Sequence, residues 1–448
     1  MFFPRAQRNI ASRQLRGLFA RYPNAKLKWF TAGRGYTSAP PQNGYTQIEK
    51  LLLDNIKAAG PITFASYMQM CLSHPTHGYY MNPANPIFGT QGDFVTSPEI
   101  SQVFGELLGV WLLSQWMQAG QDQRIRLVEL GPGRGTLMED ILRTFSRFSS
   151  CAQSIQSVHL IETSKPLCSL QENRLKPVAE RLGADIHWHE GLDLMPAQND
   201  AFTMVVAHEF FDALPFHVLQ NTADGWKEVL IASSPDHSAA AETPSSPTPS
   251  SNAPRFQTFL SPTPLSRILS ISSPRFTSLP SGTTLEVSPV AWSISRQIAQ
   301  LVGSSGCALI VDYGADHFFG KSFRVRLHLS SATWLTQAFK AHTVVDPFLL
   351  PGECDLTANV DFAYLREAAQ DLAAPLGPIT QAEFLLGMGL EQRVDVLARA
   401  AGEDGERIRE AAGRLVDMAG MGGEYKVFGM VGREREMSAE GVWPFVRV

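Results

Sequence analysis

Short apolar segments alternate with helix-length segments through the middle of the chain. The pattern predicts strands at 126–130, 158–162, 186–189, 202–207 and 308–312. Helices are predicted between them at 137–148, 165–182 and 289–302. Strands that alternate with helices are typical of an α/β fold with a mostly parallel sheet, so we predict an α/β core over residues 125–320.

The segments on either side of this core have mostly helical periodicity. On the N-terminal side, the region 45–124 includes helical segments within 45–80 and a long helix at Ile100–Met117. On the C-terminal side, the region 338–433 has predicted helices at 361–374, 380–389 and 391–401, then a β-prone stretch at 424–431. We therefore expect helical additions at both ends of the core.

Residues 233–254 differ in composition from the rest of the core. They include seven Ser and five Pro among 22 positions, which cannot build a hydrophobic core and indicates a disordered insertion. Strand-like segments at 226–231 and 255–260 flank it. The insertion is therefore predicted to extend from a hairpin.

The first predicted strand of the core runs directly into a glycine-rich turn. A strand, a tight glycine turn and a helix N-terminus together form a site for a nucleotide cofactor, because the backbone can approach the ligand closely. Dinucleotide-binding folds place a glycine where Thr136 stands here. The spacing Glu-x-Gly-x-Gly-x-Gly instead resembles the first motif of S-adenosylmethionine-dependent methyltransferases. The cofactor-binding residues predicted here are Glu129, Gly131, Pro132, Gly133 and Gly135.

A second acid, Glu162, ends the next predicted strand. In nucleotide-binding folds an acid at this position accepts hydrogen bonds from the ribose hydroxyls. The pair of Glu129 and Glu162, separated by one helix-length segment, favours a nucleotide-containing cofactor. It does not by itself exclude NAD.

Three polar residues follow the apolar strand at 202–207, namely His208, Glu209 and Asp212. They are expected at the carboxyl end of a strand, where ligands bind in open α/β sheets. In a helical turn Glu209 and Asp212 would share one face, and two such carboxylates could clamp a guanidinium. The alternative is a helix start with solvated acids.

The charge is unevenly distributed along the chain. Residues 1–48 contain eight basic and no acidic residues, whereas the remainder contains 30 basic and 43 acidic residues. An Arg-rich, acid-free N-terminus is typical of a mitochondrial transit peptide, which we place at 1–40, and Arg34-Gly-Tyr36 resembles a matrix-protease cleavage site. A basic tail that binds nucleic acid is the alternative. The acidic body argues against general nucleic-acid binding.

Two further classes of function are disfavoured by the sequence. No apolar segment approaches the roughly 18 residues that a membrane span needs. The five cysteines lie far apart and form no Cys/His cluster with zinc spacing. We therefore expect no membrane span, no metal site and reduced cysteines.

Five segments together indicate a known family. In chain order they are Gly92-Asp-Phe-Val-Thr-Ser-Pro-Glu99, Glu129-Leu-Gly-Pro-Gly-Arg-Gly-Thr136, His208-Glu-Phe-Phe-Asp-Ala-Leu-Pro215, Asp312-Tyr-Gly314 and Pro351-Gly-Glu-Cys-Asp-Leu-Thr-Ala-Asn-Val-Asp-Phe362. From about Tyr45 to Val431 the chain resembles the MidA-like family of mitochondrial protein-arginine methyltransferases, which assist assembly of respiratory complex I.

The resemblance implies a class I methyltransferase fold with a Rossmann-like, doubly wound sheet, and S-adenosyl-L-methionine as the cofactor. It implies symmetric dimethylation of an arginine on a complex I core subunit, in the mitochondrial matrix. The region 338–433 would lie on the substrate side. By position, Asp193 would lie near the adenine, and Gly92 and Asp93 would belong to a loop that closes the site. The acceptor would be faced by Glu209 and Asp212, with His208 or His342 as the route for the proton.

The family pattern is interrupted at residues 325–337. Removing these thirteen residues joins Ser322-Phe-Arg324 to Ala338 and gives a segment much closer to the family. A Val codon begins with GT and a Gln codon can end in AG, so an unspliced intron translated in frame would explain the interruption. A genuine insertion near the substrate cleft is the alternative.

Three other functions fit parts of the sequence. An NAD-dependent oxidoreductase would need the missing sixth-position glycine. A non-catalytic assembly chaperone could bind the cofactor without transferring a methyl group. A methyltransferase that acts on RNA or on a small molecule would share the cofactor motifs.

Overall fold

The computed structural model describes residues 45–82, 96–196, 200–234, 255–326, 348, 350–433 and 442–446. The predicted transit peptide at 1–40 lies outside these residues, as do Gly92, Asp93, His342 and the segments 235–254 and 327–337. What the sequence predicts for them stays a prediction.

Strands occur along the whole described chain. Their bounds are β1 Ile62–Thr63, β2 Arg124–Leu130, β3 Ile155–Ile161, β4 Asp185–His189, β5 Ala201–His208, β6 His217–Thr222, β7 Gly225–Ser233, β8 Phe256–Ser261, β9 Thr284–Val287, β10 Cys307–Ala315, β11 Arg324–Arg326, β12 Asp355–Thr357, β13 Val360–Asp361, β14 Ala374–Thr380 and β15 Tyr425–Val431.

Helices connect and flank these strands. Their bounds are α1 Gln47–Ala59, α2 Phe64–Ser73, α3 Ser97–Ile100, α4 Gln102–Gln118, α5 Thr136–Phe145, α6 Ser149–Ser154, α7 Lys165–Leu182, α8 Pro264–Leu269, α9 Pro289–Val302, α10 Phe362–Ala369, α11 Gln381–Gly387, α12 Leu390–Ala401, α13 Gly405–Val416 and α14 Met421–Glu424. None of the helices in the described ranges combines the length and apolar character needed to span a lipid bilayer. All five cysteines are free thiols, as expected.

The central sheet has the strand order β14-β15-β10-β5-β2-β3-β4. From β10 to β4 neighbouring strands are parallel, whereas β15 runs antiparallel to both β10 and β14. The chain moves outward from β2 to β4 and then crosses back to β5, so the strand order reverses between β2 and β5. In doubly wound sheets ligands bind beyond the carboxyl ends of the strands at such a reversal. The predicted α/β class with a doubly wound sheet is confirmed.

Side chains of the central strands alternate between two hydrophobic layers. Leu127, Met204 and Leu309 pack with α4, α5 and α11 to α13 on one face of the sheet. Val128 and Val205 pack with α9 and α10 on the other. Because both faces of the sheet are buried, successive residues of each strand are apolar, and the strands therefore occur in the sequence as continuous apolar segments.

A second, antiparallel sheet lies beside this core, with the order β1-β7-β6-β9 and with β8 paired to β7. The β7–β8 pairing confirms the hairpin predicted around the Ser/Pro-rich insertion. The first two residues of the predicted insertion belong to this hairpin: Ser233 is in β7, and the Ser234 amide donates to the Arg255 carbonyl at 2.8 Å. The disorder predicted for the rest of the insertion stays a prediction.

The C-terminal region differs from the prediction in three ways. The helix predicted at 361–374 ends at Ala369, and β14 begins at Ala374. Helix α13 was not predicted, since its few apolar positions lie among many charges. The core sheet also extends past residue 320, because β14 and β15 complete it.

The long helix predicted at Ile100–Met117 is divided in two. Ser101 has an extended backbone, and its side chain accepts a hydrogen bond from the Val103 amide at 3.4 Å, so α4 begins afresh after α3. Such a cap is typical of serine.

Two residues of the interrupting segment 325–337 fall within the described chain. Val325 and Arg326 belong to β11, and their backbones pair with Leu356 and Asp355 of β12.

Candidate cofactor and acceptor site

A cavity of about 410 Å³ lies at the carboxyl ends of β2, β3 and β5, where the strand order reverses. Every predicted site residue that the structure describes lines it, with the exception of Gly135. The lining is strongly acidic. Its carboxylate side chains are those of Glu99, Glu129, Glu162, Glu190, Asp193, Glu209, Asp212 and Asp355.

The glycine turn has the geometry that the sequence predicted, between β2 and α5. Gly131 and Gly133 have φ values of 61° and 53°, a left-handed conformation that favours glycine. A Cβ atom on Gly131 would lie 2.9 Å from Cδ2 of Phe210, which brings the turn after β5 against the glycine loop. Gly135 lies just before α5 and does not line the cavity. Its φ of 79° is left-handed, which is why a glycine is favoured there.

Glu129 is fully buried near the end of β2 and lines the cavity. Its Oε2 atom has no hydrogen-bond partner among the described residues. Burial raises the pKa of this carboxyl to about 8, partly offset by the Met138 backbone amide. A buried carboxyl with one oxygen left without a partner suits a cationic ligand group, and the ammonium group of S-adenosyl-L-methionine is of that kind.

Glu162 directly follows β3 and is held by two protein donors. Its Oε1 accepts from the Ser164 amide at 2.8 Å, and its Oε2 accepts from Nε2 of Gln171 at 3.1 Å. The same Gln171 nitrogen donates to the Gly133 carbonyl at 2.7 Å, and Nε1 of Trp188 donates to Gln171 Oε1 at 2.9 Å. Each carboxylate oxygen keeps a further acceptor position, so Glu162 can also accept from hydroxyl groups.

Gln171 thus joins the glycine turn, the second acid and β4, and it was missed by the sequence analysis. It is a polar residue on the long helix α7, and only its complete burial marks it as unusual. Asp193 lies on the short 3₁₀ turn Leu192–Leu194 after β4 and is exposed within the cavity lining. Its predicted contact with an adenine remains a prediction.

The segment from His208 to Asp212 does not form the helical turn in which Glu209 and Asp212 would share one face, nor a helix start. Glu209 has a left-handed backbone with φ 48°, and its amide donates to the Val311 carbonyl at 3.0 Å. The next three amides converge on one oxygen, Oδ2 of Asp312, with N–O distances of 3.2, 2.9 and 3.2 Å for Phe210, Phe211 and Asp212. The segment is therefore a turn wrapped around a buried carboxylate. Glu209 and Asp212 nevertheless line the same cavity.

Glu209 is held by a tyrosine of another strand, which in turn contacts a second tyrosine. The Tyr425 hydroxyl, at the start of β15, donates a short hydrogen bond to Glu209 Oε1 and also contacts the Tyr313 hydroxyl of β10. The two tyrosine rings pack with their centroids 4.0 Å apart. A carboxylate fixed in this way keeps its direction when a ligand enters.

His208 is buried beside Glu209 and stacks on the ring of Tyr425. Its Nε2 atom lies 3.8 Å from Glu209 Oε1 and has no hydrogen-bond partner among the described residues. Burial lowers the pKa of the imidazole, with a smaller opposing effect of Glu209, so His208 is neutral near pH 7. Within the described ranges no group of three or more His, Cys, Asp or Glu side chains is arranged to hold a metal ion.

Comparison with known proteins decides the family. A family described as putative S-adenosyl-L-methionine-dependent methyltransferases matches residues 107–379. The chain belongs to this family. The human mitochondrial protein arginine methyltransferase NDUFAF7 is 36% identical to it over 428 residues, which cover 91% of this chain and 88% of that protein. The zebrafish protein of the same name is 39% identical over 367 residues, 78% of each chain.

The fold of this methyltransferase is also found in a solved structure. A protein from Burkholderia thailandensis, crystallised with S-adenosyl-homocysteine, superimposes with a TM-score of 0.66 and 22% identity over 88% of this chain and 95% of that one. This superposition confirms the class I methyltransferase fold, and the family match confirms S-adenosyl-L-methionine as the cofactor. The roles of individual site residues remain predictions.

Replacing Glu129 by glutamine is expected to stabilise the free methyltransferase at high pH and to weaken its binding of S-adenosyl-L-methionine about tenfold. Since burial raises the pKa from 4.5 to about 8, the folded protein holds a proton there that the unfolded chain releases. That stabilisation is complete below about pH 4.5 and is lost as the pH rises through about 8. Glutamine copies the neutral form at every pH, but it lacks the charge that attracts an ammonium group.

Melting curves at pH 5.5 and 9, with and without cofactor, test this expectation. From pH 5.5 to pH 9 the melting temperature of the wild type should fall by several degrees more than that of the variant. About 1 kcal/mol shifts the melting temperature by a few degrees. Parallel pH dependence of the two proteins would show that Glu129 is not desolvated.

Proposed function

We propose that this methyltransferase transfers a methyl group to the guanidinium of a protein arginine. The observation that carries the proposal is the acidic end of the cavity, where Glu209 and Asp212 lie beside the glycine turn. Among the described lining residues, Arg134 is the one arginine or lysine, against eight acidic residues. Such a cavity attracts a cation. The mitochondrial relatives are named as protein arginine methyltransferases, which supports the same acceptor.

The residues have separate tasks in this proposal. S-adenosyl-L-methionine, when bound, supplies an electrophilic methyl group. An arginine side chain stays protonated, with a pKa above about 12, and its nitrogens are poor nucleophiles while the charge is delocalised. Glu209 and Asp212 hold the guanidinium and draw its positive charge away from the attacking nitrogen. Neutral His208, beside Glu209, takes up the proton that leaves the methylated nitrogen.

The acceptor protein and the product are also part of the proposal. The resemblance to the MidA-like family favours an arginine of a complex I core subunit, symmetric dimethylation, and a requirement for this reaction in complex I assembly. Two other functions would use the same cavity: a cofactor-binding chaperone without catalysis, and a methyltransferase for RNA or a small molecule. The acidic lining disfavours RNA, because phosphates would be repelled.

Mass spectrometry of complex I subunits separates these functions. Cells that lack the protein are supplied with either the wild type or Glu209→Gln. Dimethylated arginine on a core subunit, together with assembled complex I, is expected with the wild type alone. Assembly restored by the variant without methylation would favour the chaperone. In purified reactions, methyl label on RNA or a small molecule, and none on arginine peptides, would contradict the proposal.

We further propose that the protein acts in the mitochondrial matrix. Relatives across vertebrates and flies are named as mitochondrial, and all eight basic residues of the acid-free N-terminus lie at or before Arg34. Cleavage near Tyr36 would remove this positive segment completely. N-terminal sequencing of protein from a matrix fraction should therefore begin close to Tyr36. Recovery of an intact Met1 from the cytosol alone would contradict this location.

A further inference from the structure

A third carboxylate, Asp355, faces the acceptor end of the cavity from a distant part of the chain. It begins β12 and lines the same cavity as Glu209 and Asp212. Asp355 is buried, with only 4% of its surface exposed to solvent. Burying a carboxylate costs free energy unless hydrogen bonds or a cation compensate. An acid in this position therefore needs an explanation beyond packing.

Asp355 is fixed by a half-buried tyrosine. The Tyr80 hydroxyl donates to Asp355 Oδ1 at 2.7 Å, and the Leu356 amide donates to the same oxygen at 3.0 Å. Burial raises the pKa of Tyr80 well above its usual value, and the nearby charges of Asp355 and Asp212 raise it further. The hydroxyl therefore stays protonated and remains a donor. Both acids lie close enough to Tyr80 to act on it.

The two acidic segments are also joined through the backbone. The Ala358 amide, just after β12, donates to the Asp212 carbonyl at 3.0 Å. Asp212 itself belongs to the turn that Asp312 holds. Hydrogen bonds therefore fix both the turn that includes Asp212 and its position relative to the segment of Asp355. Two carboxylates held on separate segments around one cavity match the several N–H groups of a planar guanidinium better than a single ammonium group.

We propose that Asp355 binds the acceptor guanidinium together with Asp212, and that Tyr80 is a positioning residue that holds the Asp355 carboxylate. The inference rests on the proposed function, since it concerns the same acceptor. It adds a contact that selects arginine over lysine and over neutral side chains. Replacing Tyr80 or Asp355 would then weaken acceptor binding more than it slows methyl transfer in the bound complex.

Steady-state kinetics with an arginine peptide test this inference in the full chain. Asp355→Asn is expected to raise the KM for the peptide about tenfold or more, because a charged hydrogen-bond partner is lost, and to leave the Kd for S-adenosyl-L-methionine within about twofold. Tyr80→Phe should raise the same KM about threefold with little change in kcat. Asp371→Asn is the matched control, because Asp371 is exposed, pairs with Arg296 and lies outside the cavity lining.

A second measurement separates binding from a general structural effect. With S-adenosyl-homocysteine bound, the wild type should bind an arginine peptide far more tightly than the same peptide with citrulline, its neutral analogue. Asp355→Asn should lose most of this preference. Unchanged preference and unchanged KM would overturn the inference. If Asp355→Asn does not fold, Tyr80→Phe decides the question, because it removes one hydroxyl, and a wild-type KM in that variant would equally overturn it.

Failure of the inference is distinguishable from failure of the proposed function. A wild type that methylates no arginine peptide or protein contradicts the proposed function before any variant is compared. A wild type that methylates arginine, with Asp355→Asn behaving like the Asp371→Asn control, contradicts only the role of Asp355.

Discussion

Replacing Glu209 by glutamine is expected to reduce methyl transfer to arginine by about a hundredfold or more, with the affinity for S-adenosyl-L-methionine nearly unchanged. Glutamine keeps the shape of the side chain and an oxygen that can accept from the Tyr425 hydroxyl. It removes the negative charge that would hold the guanidinium, and fixed charges at a reacting centre are worth a few kcal/mol. Single-turnover transfer and calorimetric titration of the cofactor measure the two effects separately.

Tyr425→Phe provides the matched comparison for Glu209. It keeps the charge but removes the hydroxyl that fixes the carboxylate, so a smaller loss, about tenfold in the rate of transfer, is expected. Cofactor affinity should again persist. A Glu209→Gln protein that transfers at the wild-type rate would exclude Glu209 from the reaction, and an effect of Tyr425→Phe larger than that of Glu209→Gln would point to a role for the tyrosine itself.

Replacing Asp312 by alanine is expected to abolish transfer and to lower the free energy of unfolding by several kcal/mol. The variant would leave the buried amides of Phe210, Phe211 and Asp212 without their acceptor, and each such amide costs about 1–3 kcal/mol. The turn would rearrange, and Phe210 would no longer be held against Gly131. Cofactor affinity should therefore fall as well, which distinguishes this variant from Glu209→Gln.

Asp316→Asn is the control for Asp312, since Asp316 lies just past the end of the same strand but is half exposed and paired with Arg366. A surface ion pair of this kind contributes less than about 1 kcal/mol. Chemical denaturation of both variants, followed by transfer assays at a temperature where each is folded, gives the comparison. Wild-type activity in Asp312→Ala would show that the turn after β5 does not depend on this carboxylate.

The cofactor end of the site was largely predictable from the sequence. The strand, the glycine turn and the helix are contiguous, so their order in the chain is their order in space. Glu129 and Glu162 follow the same logic, because each lies at the end of a strand whose apolar pattern is clear. Parallel neighbouring strands then bring these ends to one edge of the sheet.

The acceptor end was predictable in its residues but not in its geometry. The spacing of Glu209 and Asp212 suggested a helical turn, whereas Asp312, a hundred residues later, captures the intervening amides and gives the segment another shape. Tyr425 and Gln171 were missed for a related reason. Each looks like an ordinary residue of its strand or helix, and its function depends on partners that are distant in sequence.

The position of β15 has a consequence for when the enzyme can become active. This strand is inserted between β10 and β14, and it delivers Tyr425 to Glu209. A ribosome releases the glycine turn long before this strand. The nascent chain can therefore assemble the glycine turn well before Tyr425 can orient Glu209. A premature stop codon anywhere upstream of Tyr425 should yield a protein that lacks β15, the strand between β10 and β14, however much of the cofactor motif it retains.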